Sequence, residues 1–173
     1  MKLASSWTWA ARAAAAAVAL VAAFDAVAAD GTATGTLFYK SKDSPITVAL
    51  KYVWLVKGPD SFNPKIIIRR LIFSATDVGA TIAACKTMTC TEAGLGSGMT
   101  LDLNPGPRLN YWVSLNDQHV QYSGTAAPRA LRLATDTPTR LAGTLFIDNT
   151  DAGGAKVEVE FDAPLLQEME LAR

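Results

Sequence analysis

From Ile46 to Val56 the chain alternates with a period of two. Ile46, Val48, Leu50, Tyr52, Trp54 and Val56 share one parity, and Thr47, Ala49, Lys51, Val53 and Leu55 share the other. A helix of 3.6 residues per turn would scatter these side chains around its axis, whereas an extended strand lines them up on one face. The segment therefore predicts a long half-buried strand with one wholly apolar face. Gly58-Pro59-Asp60 and Asn63-Pro64 break it, because proline fixes φ, lacks a donor and pushes its predecessor out of the helical region. The next run, Lys65 to Ser74, has Ile66, Ile67 and Ile68 on both parities and predicts a central strand buried on both faces at its start.

The same pattern recurs along the chain. Strands are expected at 32–39, 99–103, 109–114, 120–124, 130–135, 141–148 and 156–161, separated by Lys42-Asp43-Ser44-Pro45, Asn104-Pro105-Gly106-Pro107, Asn116-Asp117, Ala127-Pro128 and Asp151-Ala152-Gly153-Gly154. Val157, Val159 and Phe161 alternate with Lys156, Glu158, Glu160 and Asp162, and Leu141, Gly143, Leu145 and Ile147 give the preceding strand the same alternation. The loop between them holds two glycines, so 141–161 reads as a β-hairpin with one solvated face. Only Thr76 to about Lys86 argues for a helix, short because Gly79 weakens it, with Thr76 or Asp77 as its cap. Many short strands with one short helix describe a mainly β fold: an antiparallel β-sandwich, immunoglobulin-like or related, or alternatively a small closed β-barrel.

Residues 1–29 read as an address ahead of this domain. Lys2 and Arg12 form a positive start, Ala13 to Phe24 is an uncharged apolar run, and Ala26-Val27-Ala28 places small residues where a signal peptidase cuts. The run is shorter than the roughly 20 residues a spanning helix needs. A cleaved signal peptide at 1–29 and a single β-rich domain at 30–173 follow, with periplasmic or secreted localisation. From Asp30 onward there are 14 basic and 15 acidic residues and no apolar stretch of spanning length, which leaves no basic field for nucleic acid and no transmembrane helix in the mature chain. An outer-membrane barrel would need a lipid-facing apolar band with aromatic girdles, and the prolines crowding the first half and the polar tail to Arg173 argue against one.

Cys85 and Cys90 are the only cysteines, and in an exported domain they favour a disulfide. Positions five apart on a helix have Cα atoms about 8 to 9 Å apart, beyond the roughly 7 Å limit for a bridge. The segment 86–89 must therefore turn, and the helix must end near Cys85. A structural bridge is favoured over a redox role because the spacing is not Cys-x-x-Cys.

Chemistry has few carriers. His119 is the sole histidine, so any imidazole general base is His119, with Asp117 as its candidate orienting acid and Ser114 or Ser123 as conceivable nucleophiles. No Gly-x-Ser-x-Gly motif presents either serine, and a surface-turn histidine is the plainer reading. Gly94-Leu95-Gly96-Ser97-Gly98 lacks the Lys and Ser/Thr of a phosphate loop and reads as a flexible connection. Asp102, Asp148, Asp151, Glu158, Glu160 and Asp162 include enough acids for a hydrolytic pair, but they fall on solvent faces or turns. Arg69 and Arg70 point to opposite faces by parity. Trp54, Trp112, Tyr52, Tyr111 and Tyr122 suit either a sugar-stacking platform or core packing.

Gly35, Lys51-Tyr52, the Gly143 strand and Phe161-Asp162-Ala163-Pro164 together resemble a loose group of small exported bacterial β-sandwich proteins without an assigned activity. The resemblance implies export and a β fold and carries over no catalytic residues. The reading that follows is an exported noncatalytic binding or envelope-associated module, its partner an envelope protein or a glycan, with no cofactor and no metal. The alternative is a small hydrolase or metal-dependent enzyme built on His119 and nearby carboxylates.

Overall fold

A computed structural model describes residues 31–41, 44–92, 94–103, 106–116 and 118–173, the side chains of 118 and 119 excepted. The expected leader at 1–29, the turn residues Lys42, Asp43, Asn104 and Pro105, and Asp117 lie outside the described residues. Among the described residues nine strands form one sheet: β1 Thr32–Lys40, β2 Pro45–Pro59, β3 Ile67–Ser74, β4 Gly98–Leu103, β5 Leu109–Leu115, β6 Gln118–Ala126, β7 Leu131–Thr137, β8 Arg140–Asp148 and β9 Ala155–Glu168. Each expected strand is present. The order is β6-β5-β4-β3-β2-β1-β9-β8-β7, with every strand antiparallel to its neighbours in this order. This is a meander whose last strand returns to lie beside its first.

The sheet curls into a half-barrel. Strands stack about 4.8 Å apart, so β3 and β9, three positions apart, would lie about 14 Å apart if the sheet were flat. Instead the Phe73 and Phe161 rings meet edge to face at 5.4 Å, and Tyr39 of β1 lies 6.1 Å from Tyr122 of β6. Accumulated strand twist folds one half of the sheet over the other. Hydrogen bonding runs unbroken through all nine strands, so one continuous curled sheet stands where two packed sheets were expected. The closed-barrel alternative is approached but not completed, since among the described residues β6 and β7 each pair on one side only. The space inside the curl is filled by a core that includes Leu37, Leu50, Val53, Leu71, Phe73, Leu101, Tyr111, Val157 and Phe161.

β2 departs from the single-face reading. Val48 and Leu50 face the inner core, but farther along Val53 and Leu55 take that side while Trp54 and Val56 turn outward into a second cluster. The ladder shows why: Gly35 pairs with Leu50 and Thr32 with Tyr52, three residues of β1 against two of β2. The register slips by one residue here, and the parity of β2 changes across the slip. Beyond it β2 is buried on both sides, because Ala75 to Ser97 and the C-terminal tail cover its outer face.

That cap contains the helix, α1 Gly79–Ala83, five residues long rather than eleven. Asp77 Oδ1 accepts the Gly79 N–H at 2.8 Å but does not cap the helix, and Ile82 anchors it in the outer cluster. The helix stops at Ala84, and Cys85 bridges Cys90 with Cα atoms 5.6 Å apart, as the geometry required. Leu95 is buried in the same cluster, so the glycine loop is pinned to the sheet rather than a loose connection. Beneath the cap lies a buried ion pair. Arg70 donates through Nε and Nη2 to the Asp102 carboxylate at 2.5 and 2.8 Å, and through Nη1 to Met88 O at 3.0 Å and Glu92 Oε1 at 2.8 Å. Burial alone would lower the Arg70 pKa, but Asp102, Glu92 and Asp60 hold it raised.

Candidate functional site

The cap covers the outer side of β2 and β3 and leaves the outer side of β7, β8, β9 and β1 bare. Alternation decides what that side carries: with Val157, Val159 and Phe161 turned into the core, Glu158, Glu160 and Asp162 face out. Thr32, Thr34 and Thr36 of β1 lie exposed on one flank of this acidic row, and Thr144 and Phe146 of β8 on the other. Arg132 of β7 lies beyond them, paired with Thr144.

The face is not flat. A trough of ≈ 540 Å³ runs over Ala142, Gly143 and Thr144, with Arg132 on one side and Glu160, Thr32 and Thr34 on the other. Small residues make its floor low. Gly143 also lets β7 approach: a Cβ there would meet Arg132 O at 2.0 Å, where the β7–β8 register slips between Leu133 and Thr135. Two adjoining hollows, of ≈ 580 and ≈ 420 Å³, share Thr144 and reach the half-exposed ring of Phe146.

Some charges on this side are already paired. Arg140 makes a two-pronged hydrogen bond to Asp162, 2.7 Å from Nε to Oδ1, and holds that carboxyl below the ordinary range. Asp148 is lowered too, by hydrogen bonds from the Thr150 hydroxyl and N–H and by Lys156 at 3.9 Å. Glu158, Glu160 and Arg132 form no ion pair among the described residues. They are the charges this face can offer a ligand. Two carboxylates with threonine hydroxyls suit a donor-rich partner, and Arg132 across the trough suits an acceptor.

The residues singled out from sequence do not converge here. His119 lies in β6, at the far edge of the sheet from β7; its side chain is outside the described set, as is Asp117. Ser114 is buried, whereas Ser123 is exposed. Asp102 is enclosed against Arg70 rather than on a solvent face. The aromatic platform does not form. Trp54 is stacked on Tyr52 in the outer cluster, Trp112 lies 5.8 Å from the Arg70 guanidinium, and Tyr111 is in the inner core with Tyr122 against it. Tyr111 accepts a 2.6 Å hydrogen bond from Asn149 Nδ2, yet burial pushes its pKa up to about 12. Among the described residues no three His, Cys, Asp or Glu side chains gather as a metal-ligand set, and no helix is long and apolar enough to cross a membrane.

No protein-family model, curated protein or solved structure matches this chain.

The trough itself was half legible. Alternation in β9 placed Glu158 and Glu160 on a polar face, but only the fold shows that this face is the one left uncovered.

Proposed function

We propose that this chain is an exported noncatalytic binding module that recognises an envelope protein or glycan through the bare outer face of β7, β8, β9 and β1. The observation that carries the reading is the unequal treatment of the two halves of the sheet. One outer half is sealed by a disulfide-stapled cap, while the other keeps a trough lined by threonine hydroxyls and by Glu160 and Arg132, which form no ion pair among the described residues. The filled interior of the half-barrel argues against a carrier that encloses its ligand: its core residues are packed, and the hollows lie outside it. Export rests on the leader pattern of 1–29, and the disulfide fits it.

Thr144 is common to all three hollows, so Thr144→Trp places a bulky ring at the point where they meet. Binding of the purified exported chain to washed cell-envelope glycan and to solubilised envelope protein is measured for both forms. The reading expects Thr144→Trp to lower binding at least about tenfold, because the bulky ring replaces ligand contacts. Undiminished binding by the variant would move the site elsewhere.

A further inference from the structure

The two hollows that adjoin the trough differ in charge. The one of ≈ 420 Å³ is lined by Arg129 and Arg132, and the one of ≈ 580 Å³ by Glu158 and Glu160. Thr144 and Phe146 of β8 belong to both and form the ridge between them. All four charged side chains are exposed, and none makes an ion pair among the described residues.

The strand order keeps the two signs apart. Elsewhere on this side opposite charges stand on adjacent strands and pair, Arg140 of β8 with Asp162 of β9 and Asp148 of β8 with Lys156 of β9. Arg132 and Glu160 instead flank Thr144 from opposite sides, one on β7 and the other on β9. Their backbones are therefore two strand spacings apart, about 9.6 Å. A charge-assisted hydrogen bond takes up about 2.8 Å at each end, which leaves about 4 Å for what lies between. A ligand of one sign would satisfy one hollow and be repelled by the other. A group carrying both signs, with its anion and its cation joined by a two-carbon link, satisfies both.

The rest of the lining indicates what carries that group. Thr32, Thr34 and Thr36 stand exposed along the flank of the acidic row, and each hydroxyl can donate and accept, as sugar hydroxyls do. Phe146, at 52% exposure, offers its ring to the C–H face of a sugar. A lipid headgroup would bring acyl chains, yet Phe146 is the one large apolar side chain exposed on this side among the described residues. We propose that the trough binds a zwitterionic substituent of an envelope glycan, its phosphate or carboxylate held by Arg129 and Arg132 and its protonated amine by Glu158 and Glu160. This rests on the reading of the face as the binding face and adds the chemistry that the face selects.

The test uses methyl glucoside whose primary hydroxyl carries nothing, a phosphate, an aminoethyl ether or an aminoethyl phosphate, each titrated to about 20 mM and followed by amide shifts, a range that captures millimolar affinities. The aminoethyl phosphate glucoside is expected to bind at least about tenfold more tightly than any of the other three. R129Q/R132Q should weaken the aminoethyl phosphate and phosphate forms about tenfold and leave the aminoethyl ether within about twofold, and E158Q/E160Q should spare the phosphate form and weaken the two amines. Near-UV circular dichroism of both variants should match the parent, since these side chains lie outside both cores. Equal affinity for all four glucosides, no binding of the aminoethyl phosphate form, or variants that do not discriminate by charge would each overturn the proposal. If Thr144→Trp blocks envelope glycan while the four glucosides bind alike, the face stands and the zwitterion falls; if the aminoethyl phosphate form binds Thr144→Trp undiminished, both fall. Capture by phosphatidylethanolamine-containing vesicles in place of the glucoside would overturn the glycan assignment.

Discussion

Removing one member of the Arg70–Asp102 pair should be the most damaging single change outside the apolar cores, and the two members should differ in the size of the loss. Both side chains are almost fully enclosed, at 3% and 2% exposure. Deleting one partner of a buried pair costs about 3–5 kcal/mol, because the survivor keeps its desolvation penalty without its counter-charge. Asp102→Ala leaves Arg70 with Glu92 at 2.8 Å and Met88 O at 3.0 Å, so we expect the lower end, about 3 kcal/mol. At roughly 3 °C per kcal/mol for a domain of this size, Tm should fall by about 9 °C. Arg70→Met strands the Asp102 carboxylate, and we expect about 5 kcal/mol at neutral pH. Replacing both, as R70M/D102L, should recover most of the loss. Urea titration followed by tryptophan fluorescence reads all of this, since the Trp112 ring lies 5.8 Å from the guanidinium. Deficits under about 1 kcal/mol for both single variants, the size of a surface pair, would refute the reasoning.

Reducing the Cys85–Cys90 bridge should cost about 2 kcal/mol, the small-ring value. It should also speed amide exchange at Met88 and Thr89, whose N–H groups hold the tail. Alkylation without reductant should add no label, and two labels per chain would remove the bridge from the account. Tyr111 should ionise near 12 in the folded chain but near 10 when unfolded. The folded state thus keeps its proton longer, and stability should fall as pH rises from about 10 to 12; ultraviolet titration of Tyr111→Phe against the parent isolates that step. Mass spectrometry of exported protein should find the chain starting at Ala29 or Asp30, and an intact Met1 there would contradict the leader reading.

Where sequence reasoning succeeded, local chemistry decided the outcome. All nine strands were legible because alternation and turn residues are set within a few positions, and the 86–89 turn followed from the reach of a disulfide. Apart from the overextended helix, the losses are non-local. β9 was expected to stop at Phe161, yet it runs on to Glu168. Beyond the start of β1 it turns to pair in parallel with β2, Leu55 against Leu165 and Lys57 against Glu168. Nothing in the local sequence announces that partner. Continuity of the sheet was lost in the same way, because a sandwich and a curled sheet share one alternation and differ only in how far twist accumulates. Arg70 looked like half of a basic doublet until the cap brought Met88 and Glu92 to it. The trough could not be found by residue type: threonine, glutamate and alanine acquire meaning there only because the opposite half of the sheet is covered.

The central claim, that the uncovered outer face is where this protein binds, is tested most directly by backbone amide shifts of the labelled exported chain during titration with soluble envelope glycan fragments and then with solubilised envelope protein. The account predicts that one of the two shifts Thr34, Thr144 and Glu160 together, with the capped residues Ile72 and Ile82 unmoved, and that Thr144→Trp abolishes the change. Shifts centred on β6 around His119, or turnover of the added material, would contradict it.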